Sequence, residues 1–222
     1  MAASKMRRLW KNDFVQTAAI IGLIVAIVLG LFFGAQLVLD TPYPTLTVET
    51  GSMCIPYDGN CDGWSHPFER TLHVGDLLIV QGVDPAILNT NYPDSDIIVF
   101  HEPGNPNRLI VHRIVAVQNI NGTLYFQTKG DGNGAPNYLW PVVPPVSEYD
   151  KWSGGHGVSE DLVVGKVVGR VPWVGLATLF LRRNPYGLPV VIAVILLLIL
   201  VEFVLPVVRK KLVQQKTIEQ AT

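Results

Sequence analysis

The chain has 222 residues, which is enough for one domain of ordinary size together with membrane segments. Hydrophobic residues make up 49% of the chain and the mean hydropathy is +0.31, which is more apolar than a soluble domain requires. The net charge of −1 hides an acidic middle, because residues 40–181 contain 7 Lys and Arg against 15 Asp and Glu, a net of −8. This balance argues against nucleic-acid binding, since neutralising phosphates requires a basic surface.

The first predicted element is a membrane anchor at residues 17–39. These 23 residues carry no charge, and a helix of this length exceeds the roughly 30 Å thickness of the hydrocarbon layer. A cleaved signal peptide is the alternative, but its apolar region covers only about 7–15 residues and ends at a site of small residues. No clear site of that kind follows here, so the sequence predicts a retained transmembrane helix.

A second apolar run, residues 188–208, predicts a C-terminal transmembrane helix. It contains Glu202 close to the basic residues that follow it. Basic residues also fill the segment before the first run, and short basic flanks stay on the cytoplasmic side. We therefore expect a multi-pass protein of the plasma membrane. Residues 1–16 and 209–222 would be cytoplasmic, and residues 40–181 would form an extracytoplasmic domain.

The predicted extracytoplasmic domain is mainly β. Short runs rich in Val, Ile and Leu alternate with Gly, Pro and Asn clusters, which is typical of antiparallel strands and their loops. The runs cover residues 71–83, 95–103, 108–120, 122–131 and 161–172. Asn121-Gly122 between two of them predicts a hairpin turn. The Pro-rich residues 139–157 are interpreted as a long surface excursion.

Several residues of this domain could carry chemistry. Ser52 follows Gly51, which allows a tight turn that exposes the hydroxyl, but a Gly-Ser pair is more often only a turn. His112 lies inside an alternating strand pattern, so a base there would be held rigidly. His101 is a rival base, and a desolvated Lys129 could also serve a serine. On the residues alone, each of these side chains could instead be structural.

Five boxes in a fixed order resemble the type I signal peptidases, in their archaeal and endoplasmic-reticulum branch. They are GSM just after the first apolar run, GDLLIV (75–80), IVHRIVAV (110–117), TKGDGN (128–133) and VVGKVVGRVPWVG (163–175). The resemblance extends from about residue 45 to residue 175. It implies a β-rich, membrane-anchored endopeptidase that removes signal peptides from exported preproteins after small residues, at sites of the A-x-A type.

The resemblance also implies roles for individual residues. Ser52 corresponds to the nucleophile and His112 to the general base, which in the bacterial branch is a lysine. Asp131, the acid of the KGD box, would orient His112 or support it electrostatically. The implied partners are signal peptides of secretory preproteins, the lipid bilayer and the protein-export channel, with no cofactor and no metal.

Two departures from the family pattern leave the third catalytic member open. The serine box has one extra residue before Pro56, and Asn137 stands where the family carries a second acid. Asp131 alone could support His112, a loop acid such as Asp150 or Asp161 could substitute, or Asn137 could orient the imidazole. A non-catalytic, membrane-anchored β module that binds an extracytoplasmic partner is the alternative function.

Cys54 and Cys61 would face an oxidising compartment in this topology, so we predict a local disulfide beside Ser52. Neither a CxxC pair nor a His cluster with zinc-ligand spacing occurs in the sequence, so no metal site is predicted.

The disulfide can be tested by intact-mass measurement of the full chain before and after reduction. One bridge should raise the mass by about 2 Da on reduction, because two thiols take up one hydrogen each. An unchanged mass would contradict the prediction.

Overall fold

The computed structural model describes residues 13–55, 71–134 and 141–201, with the backbone alone at residues 13 and 14. Helix α1 (Asp13–Val38) comes first. Its segment Val15–Val38 has a mean hydropathy of 2.7, and the most apolar stretch of this segment is not buried inside the protein. Its 26 residues would measure about 39 Å at 1.5 Å per residue, which exceeds the roughly 30 Å hydrocarbon layer. The expected N-terminal apolar helix is therefore present and is long enough to cross a membrane.

The C-terminal part is helical but sharply bent. Helix α2 (Gly175–Arg183) and helix α3 (Gly187–Val201) meet at 108° across a short break. The apolar side chains of α3 are exposed, as those of α1 are. Residues 202–208 of the expected second span lie outside the described residues, so that span stays a prediction.

Within the described residues, seven antiparallel strands form one sheet in the order β1-β2-β7-β3-β4-β5-β6. Their bounds are β1 Thr45–Thr47, β2 Leu77–Gln81, β3 Ile97–Glu102, β4 Asn105–Ile120, β5 Thr123–Lys129, β6 Val158–Ser159 and β7 Val163–Val171. The mainly β prediction is confirmed, and each of the five apolar runs coincides with one strand, although β4 begins three residues before its run. The short strands β1 and β6 were not predicted.

The hairpin between β4 and β5 has the two-residue turn that Asn121-Gly122 predicts. Ile120 pairs with Thr123, and both turn residues have positive φ, 54° and 91°. A type I′ turn needs this backbone geometry at both central positions, and it matches the twist of the flanking strands. The prediction of a hairpin is confirmed.

In the part of the chain that the structure describes, two apolar clusters are built largely from side chains of the strands. One joins buried residues of β2 and β3 to Val48, Leu72 and Met53, so the residue after Ser52 is part of the core. The other joins β3, β4, β5 and β6, with Trp152 packed against it. Burial of Met53 thus holds the serine segment against the domain.

The end of α1 is tied directly to the sheet. Gly82 N–H donates to the Leu39 carbonyl at 2.7 Å, and Val80 N–H donates to the Pro44 carbonyl at 3.1 Å. A side chain at position 82 would overlap the Asp40 carbonyl oxygen, so the close approach requires glycine.

Gly82→Ala should therefore destabilise this junction, because the Asp40 backbone would have to move. Overpacking of this kind costs about 1–3 kcal/mol, and each kcal/mol lowers the melting temperature by about 2–4 °C in a chain of this size. Thermal unfolding in detergent would measure this decrease in the melting temperature. Gly169→Ala in β7 is the matched control, since the new methyl there meets Ile79 at ordinary contact distances of 3.5 Å and above. Equal melting temperatures for the two variants would contradict the prediction.

Candidate active site

Ser52 lies in a single 3-10 turn, Gly51–Met53, between β1 and the core. Its backbone is held from two sides, since Gly132 N–H donates to the Ser52 carbonyl at 2.9 Å and Leu72 N–H donates to the Met53 carbonyl at 3.3 Å. Met53 is buried, whereas Ser52 is half-buried. The turn therefore presents the serine side chain from an anchored backbone.

His112 lies on β4 where that strand changes partners. Residues 105 to 113 pair with β3, and residues 113 to 120 pair with β5. His112 is only 7% exposed, and its Nε2 lies 3.1 Å from Ser52 Oγ. A hydroxyl at this distance from an imidazole nitrogen can pass its proton to that nitrogen. The structure thus brings together two of the three residues to which the sequence assigned catalytic roles.

The carboxylate on the other side of His112 belongs to Asp150. Its Oδ2 lies 2.5 Å from His112 Nδ1, and both side chains are largely buried. Asp150 was one of the loop acids left open by the sequence. Ser52, His112 and Asp150 therefore form a serine–histidine–carboxylate chain, the arrangement in which an acid holds the imidazole in the orientation and tautomer needed by a general base.

Asp131 lies beside this chain and has another partner. Its two oxygens accept from Nε and Nη2 of Arg113, each at 2.8 Å, and Arg113 Nη1 also donates to the Ser95 carbonyl at 2.8 Å. Burial raises the pKa of Asp131, while its bond with Arg113 lowers it. The predicted orienting contact between Asp131 and His112 is thus made by Asp150, because Arg113 occupies the Asp131 carboxylate.

Lys129 and His101, the rival bases, have other partners. Lys129 Nζ donates to the Gly130 and Asn133 carbonyls within the turn that contacts Ser52. Burial lowers the pKa of Lys129, and the charge of Glu148 opposes this shift. His101 is at the β3–β4 hairpin, where its Nδ1 lies 2.6 Å from the Pro106 carbonyl oxygen.

The glycine of the KGD box has a steric role. A Cβ at Gly130 would overlap the Ser52 carbonyl oxygen and would lie 3.0 Å from His112 Nε2. Glycine therefore allows the turn after β5 to approach the Ser52–His112 pair.

A groove of about 820 Å³ opens at Ser52 and His112. Strand β1 and residues 107–112 of β4 both contribute to its lining. Apolar side chains of Leu46, Val48 and Ile110 contribute to the lining. Within the described residues, no group of three or more His, Cys, Asp or Glu could hold a metal ion.

Several curated proteins are similar to most of this chain. Signal peptidase complex catalytic subunit SEC11 of Leptosphaeria maculans is 30% identical over 156 residues, which cover 69% of this chain and 72% of that protein. The protein of the same name from Tuber melanosporum is 26% identical over 91% of this chain and 97% of its own length. For SEC11C of Canis lupus familiaris the identity is 26%, over 81% and 79%.

The chain belongs to this signal peptidase family. No family model matches the chain. The resemblance carried by the ordered boxes is confirmed by these relatives, whose similarity extends over most of the chain. As a signal peptidase, the chain places an N-terminal apolar helix before its serine box, as the sequence predicts.

The serine box of this signal peptidase also contains a disulfide-bonded cysteine. Cys54, two residues after Ser52, is buried and oxidised in a disulfide. The other cysteine of the sequence, Cys61, and Asn137 of the KGD region lie outside the described residues. Thr128 Oγ1 donates to Asp150 Oδ2 and accepts from Trp152 Nε1, and no pattern in the sequence pointed to a role for either residue.

Asp131→Asn should lower the stability of the signal peptidase, because it removes the charge that compensates buried Arg113. Breaking one side of a buried ion pair costs about 3–5 kcal/mol. Thermal unfolding of the full chain in detergent would measure the loss. Glu102→Gln is the control, since its partner Arg108 is exposed and such pairs contribute about 0–1 kcal/mol. Equal melting temperatures for the two variants would show that the Arg113–Asp131 pair contributes no more to stability than an exposed ion pair.

Proposed function

We propose that this chain is a membrane-bound serine endopeptidase that removes N-terminal signal peptides from exported preproteins after small residues. The proposal depends most on one observation, the 3.1 Å contact between Ser52 Oγ and His112 Nε2 with a carboxylate on the opposite ring nitrogen. Family membership supports the reaction and the substrate class, because the relatives are named as catalytic subunits of signal peptidase.

The proposed reaction is acyl transfer. Ser52 Oγ attacks the scissile carbonyl carbon while its proton moves to His112 Nε2. The resulting imidazolium donates this proton to the leaving amine as the peptide C–N bond breaks. Water, deprotonated by His112, then hydrolyses the ester and restores Ser52.

The two acids have different proposed roles. Asp150 orients His112 and stabilises the imidazolium through the bond to Nδ1. Asp131 acts at longer range, through its charge and by holding Arg113, the neighbour of His112 on β4. The acid that we assigned from the KGD box is thus retained as a supporting residue.

The groove supports an extended substrate. Strand β1 is at one edge of the sheet, and residues 107–112 of β4 precede the stretch that pairs with β5. A peptide lying in this groove could add main-chain hydrogen bonds to a strand edge, and apolar pockets would select its side chains. A signal peptide leaving the bilayer is such a substrate.

Membrane attachment fits the same substrate. Ser52 follows Leu39 by 13 residues, and an extended chain of this length covers at most about 43 Å. We propose two spans with both termini in the cytoplasm of a plasma-membrane protein, with the β domain outside and the protein-export channel as a neighbour. The one N-terminal apolar helix supports the first span.

Incubation of the purified full chain with a synthetic preprotein, followed by mass mapping of the cut, tests this function. Ser52→Ala and His112→Ala should abolish cleavage, and Asp150→Asn should lower kcat by about 10²–10⁴-fold because it no longer favours the working tautomer. His101→Ala and Ser159→Ala are matched controls that should cleave at the rate of the unsubstituted chain.

Full cleavage by Ser52→Ala would overturn the assignment of the nucleophile. Activity in His112→Ala together with inactivity in Lys129→Ala would replace His112 by a lysine base. A folded chain that never cuts the preprotein would favour the non-catalytic binding module.

A further inference from the structure

We propose that Thr128 and Trp152 are positioning residues that hold the Asp150 carboxylate against His112. The proposal rests on the proposed function and extends its machinery by two side chains. Trp152 Nε1 lies 3.0 Å from Thr128 Oγ1, which lies 2.8 Å from Asp150 Oδ2. The same Asp150 oxygen lies 2.5 Å from His112 Nδ1, so the chain of contacts from the indole to Ser52 is continuous.

The chemistry of these groups fixes the direction of each hydrogen bond. An indole N–H can only donate, so Thr128 Oγ1 accepts from Trp152. The single proton of the threonine hydroxyl is then free to donate to Asp150. An ionised carboxylate only accepts, so His112 must donate from Nδ1, which leaves Nε2 as the acceptor that faces Ser52. The network therefore selects the imidazole tautomer that a general base needs.

The position of Asp150 in the fold explains why support of this kind is needed. Asp150 follows the 3-10 turn Val146–Glu148 and precedes another irregular turn, Trp152–Gly155. Catalytic groups on such loops are placed less accurately than groups on strands unless other contacts fix them. His112, in contrast, is placed by β4.

Thr128 connects this loop to the sheet. It is fully buried on β5, where it pairs with Ile114 of β4. Its carbonyl accepts from Asp150 N–H at 2.9 Å, in addition to the bond from its hydroxyl to the Asp150 side chain. The backbone and the carboxylate of Asp150 are thus both fixed by one residue of a central strand.

Trp152 holds the Thr128 hydroxyl in place. Its ring packs edge to face against Phe100, with centroids 5.9 Å apart, and it contacts the apolar cluster of β3 to β6. Its indole N–H therefore reaches Thr128 from a ring whose orientation is set by the core. The DKW segment places the acid and the residue that helps to orient it within one short piece of chain.

The test is a double-mutant cycle on the purified full chain, with preprotein cleavage as the readout. Thr128→Val keeps the shape but removes the hydroxyl, and should lower kcat about tenfold with KM little changed. Thr128→Ser should restore most of the rate. Trp152→Phe keeps an aromatic ring but removes the indole N–H, and it should lower kcat about threefold, since Trp152 acts one hydrogen bond further from His112. Thr123→Val, at the other end of β5, is the matched control with no expected change.

The Asp150→Asn background decides between positioning and general stabilisation. If Thr128 acts through Asp150, Thr128→Val should change the rate of Asp150→Asn by less than about twofold, because coupled residues are not additive. A tenfold loss in both backgrounds, or equal rates for Thr128→Ser and Thr128→Val, would overturn the proposal. So would a Thr128→Val enzyme with the kcat of the unsubstituted chain.

If Thr128→Val lacks a cooperative thermal transition, the same cycle with Trp152→Phe replaces it, and additive losses there would overturn the proposal. Failure of the underlying function appears differently, as an unsubstituted chain that does not cleave or a Ser52→Ala variant that does.

Discussion

The hydrogen bond from Gly132 N–H to the Ser52 carbonyl joins the two parts of the chain that bring Ser52 and His112 together. Ser52 comes from a turn near the membrane helix, whereas His112 belongs to β4 and is 60 residues away. The turn after β5 lies between them, and glycine at position 130 lets it approach both. The Ser52–His112 distance is therefore set by backbone packing and does not depend on their side chains alone.

Adjacent residues on β4 serve different purposes because successive side chains on a strand point to opposite faces. His112 faces Ser52 and Asp150, and Arg113 faces Asp131 and the Ser95 carbonyl. Each residue thus has its own carboxylate. One acid can hold the imidazole while the other compensates a buried guanidinium, and the nearby charges do not have to share a partner.

Much of this arrangement could be predicted from the sequence. Alternating Val, Ile and Leu residues indicated the longer strands, and Asn121-Gly122 indicated a hairpin whose turn geometry the structure contains. The short strands β1 and β6 were missed because three and two residues are too few to establish a period. Ser52 and His112 could be proposed from the sequence because each belongs to one of the ordered boxes, and the structure places their side chains 3.1 Å apart.

The carboxylate that contacts His112 could not be chosen in the same way. Asp150 lies 38 residues from its histidine, in a Pro- and Gly-rich loop without periodicity. Asp131 had the stronger sequence signal, because it belongs to the KGD box, yet its carboxylate is paired with Arg113. The roles of Thr128 and Trp152 depend on which atom donates each proton, and no sequence pattern carries that information.

The bond between Gly82 N–H and the Leu39 carbonyl has a consequence for how the enzyme meets its substrate. It joins the residue that follows α1 to the residue that follows β2, so the helix and the sheet are connected by a hydrogen bond as well as by the chain. With α1 in a bilayer, this connection would couple the tilt of the helix to the height of the groove above the lipid headgroups. The distance between the membrane surface and the cleavage site of a preprotein would then decide whether the scissile bond reaches the groove.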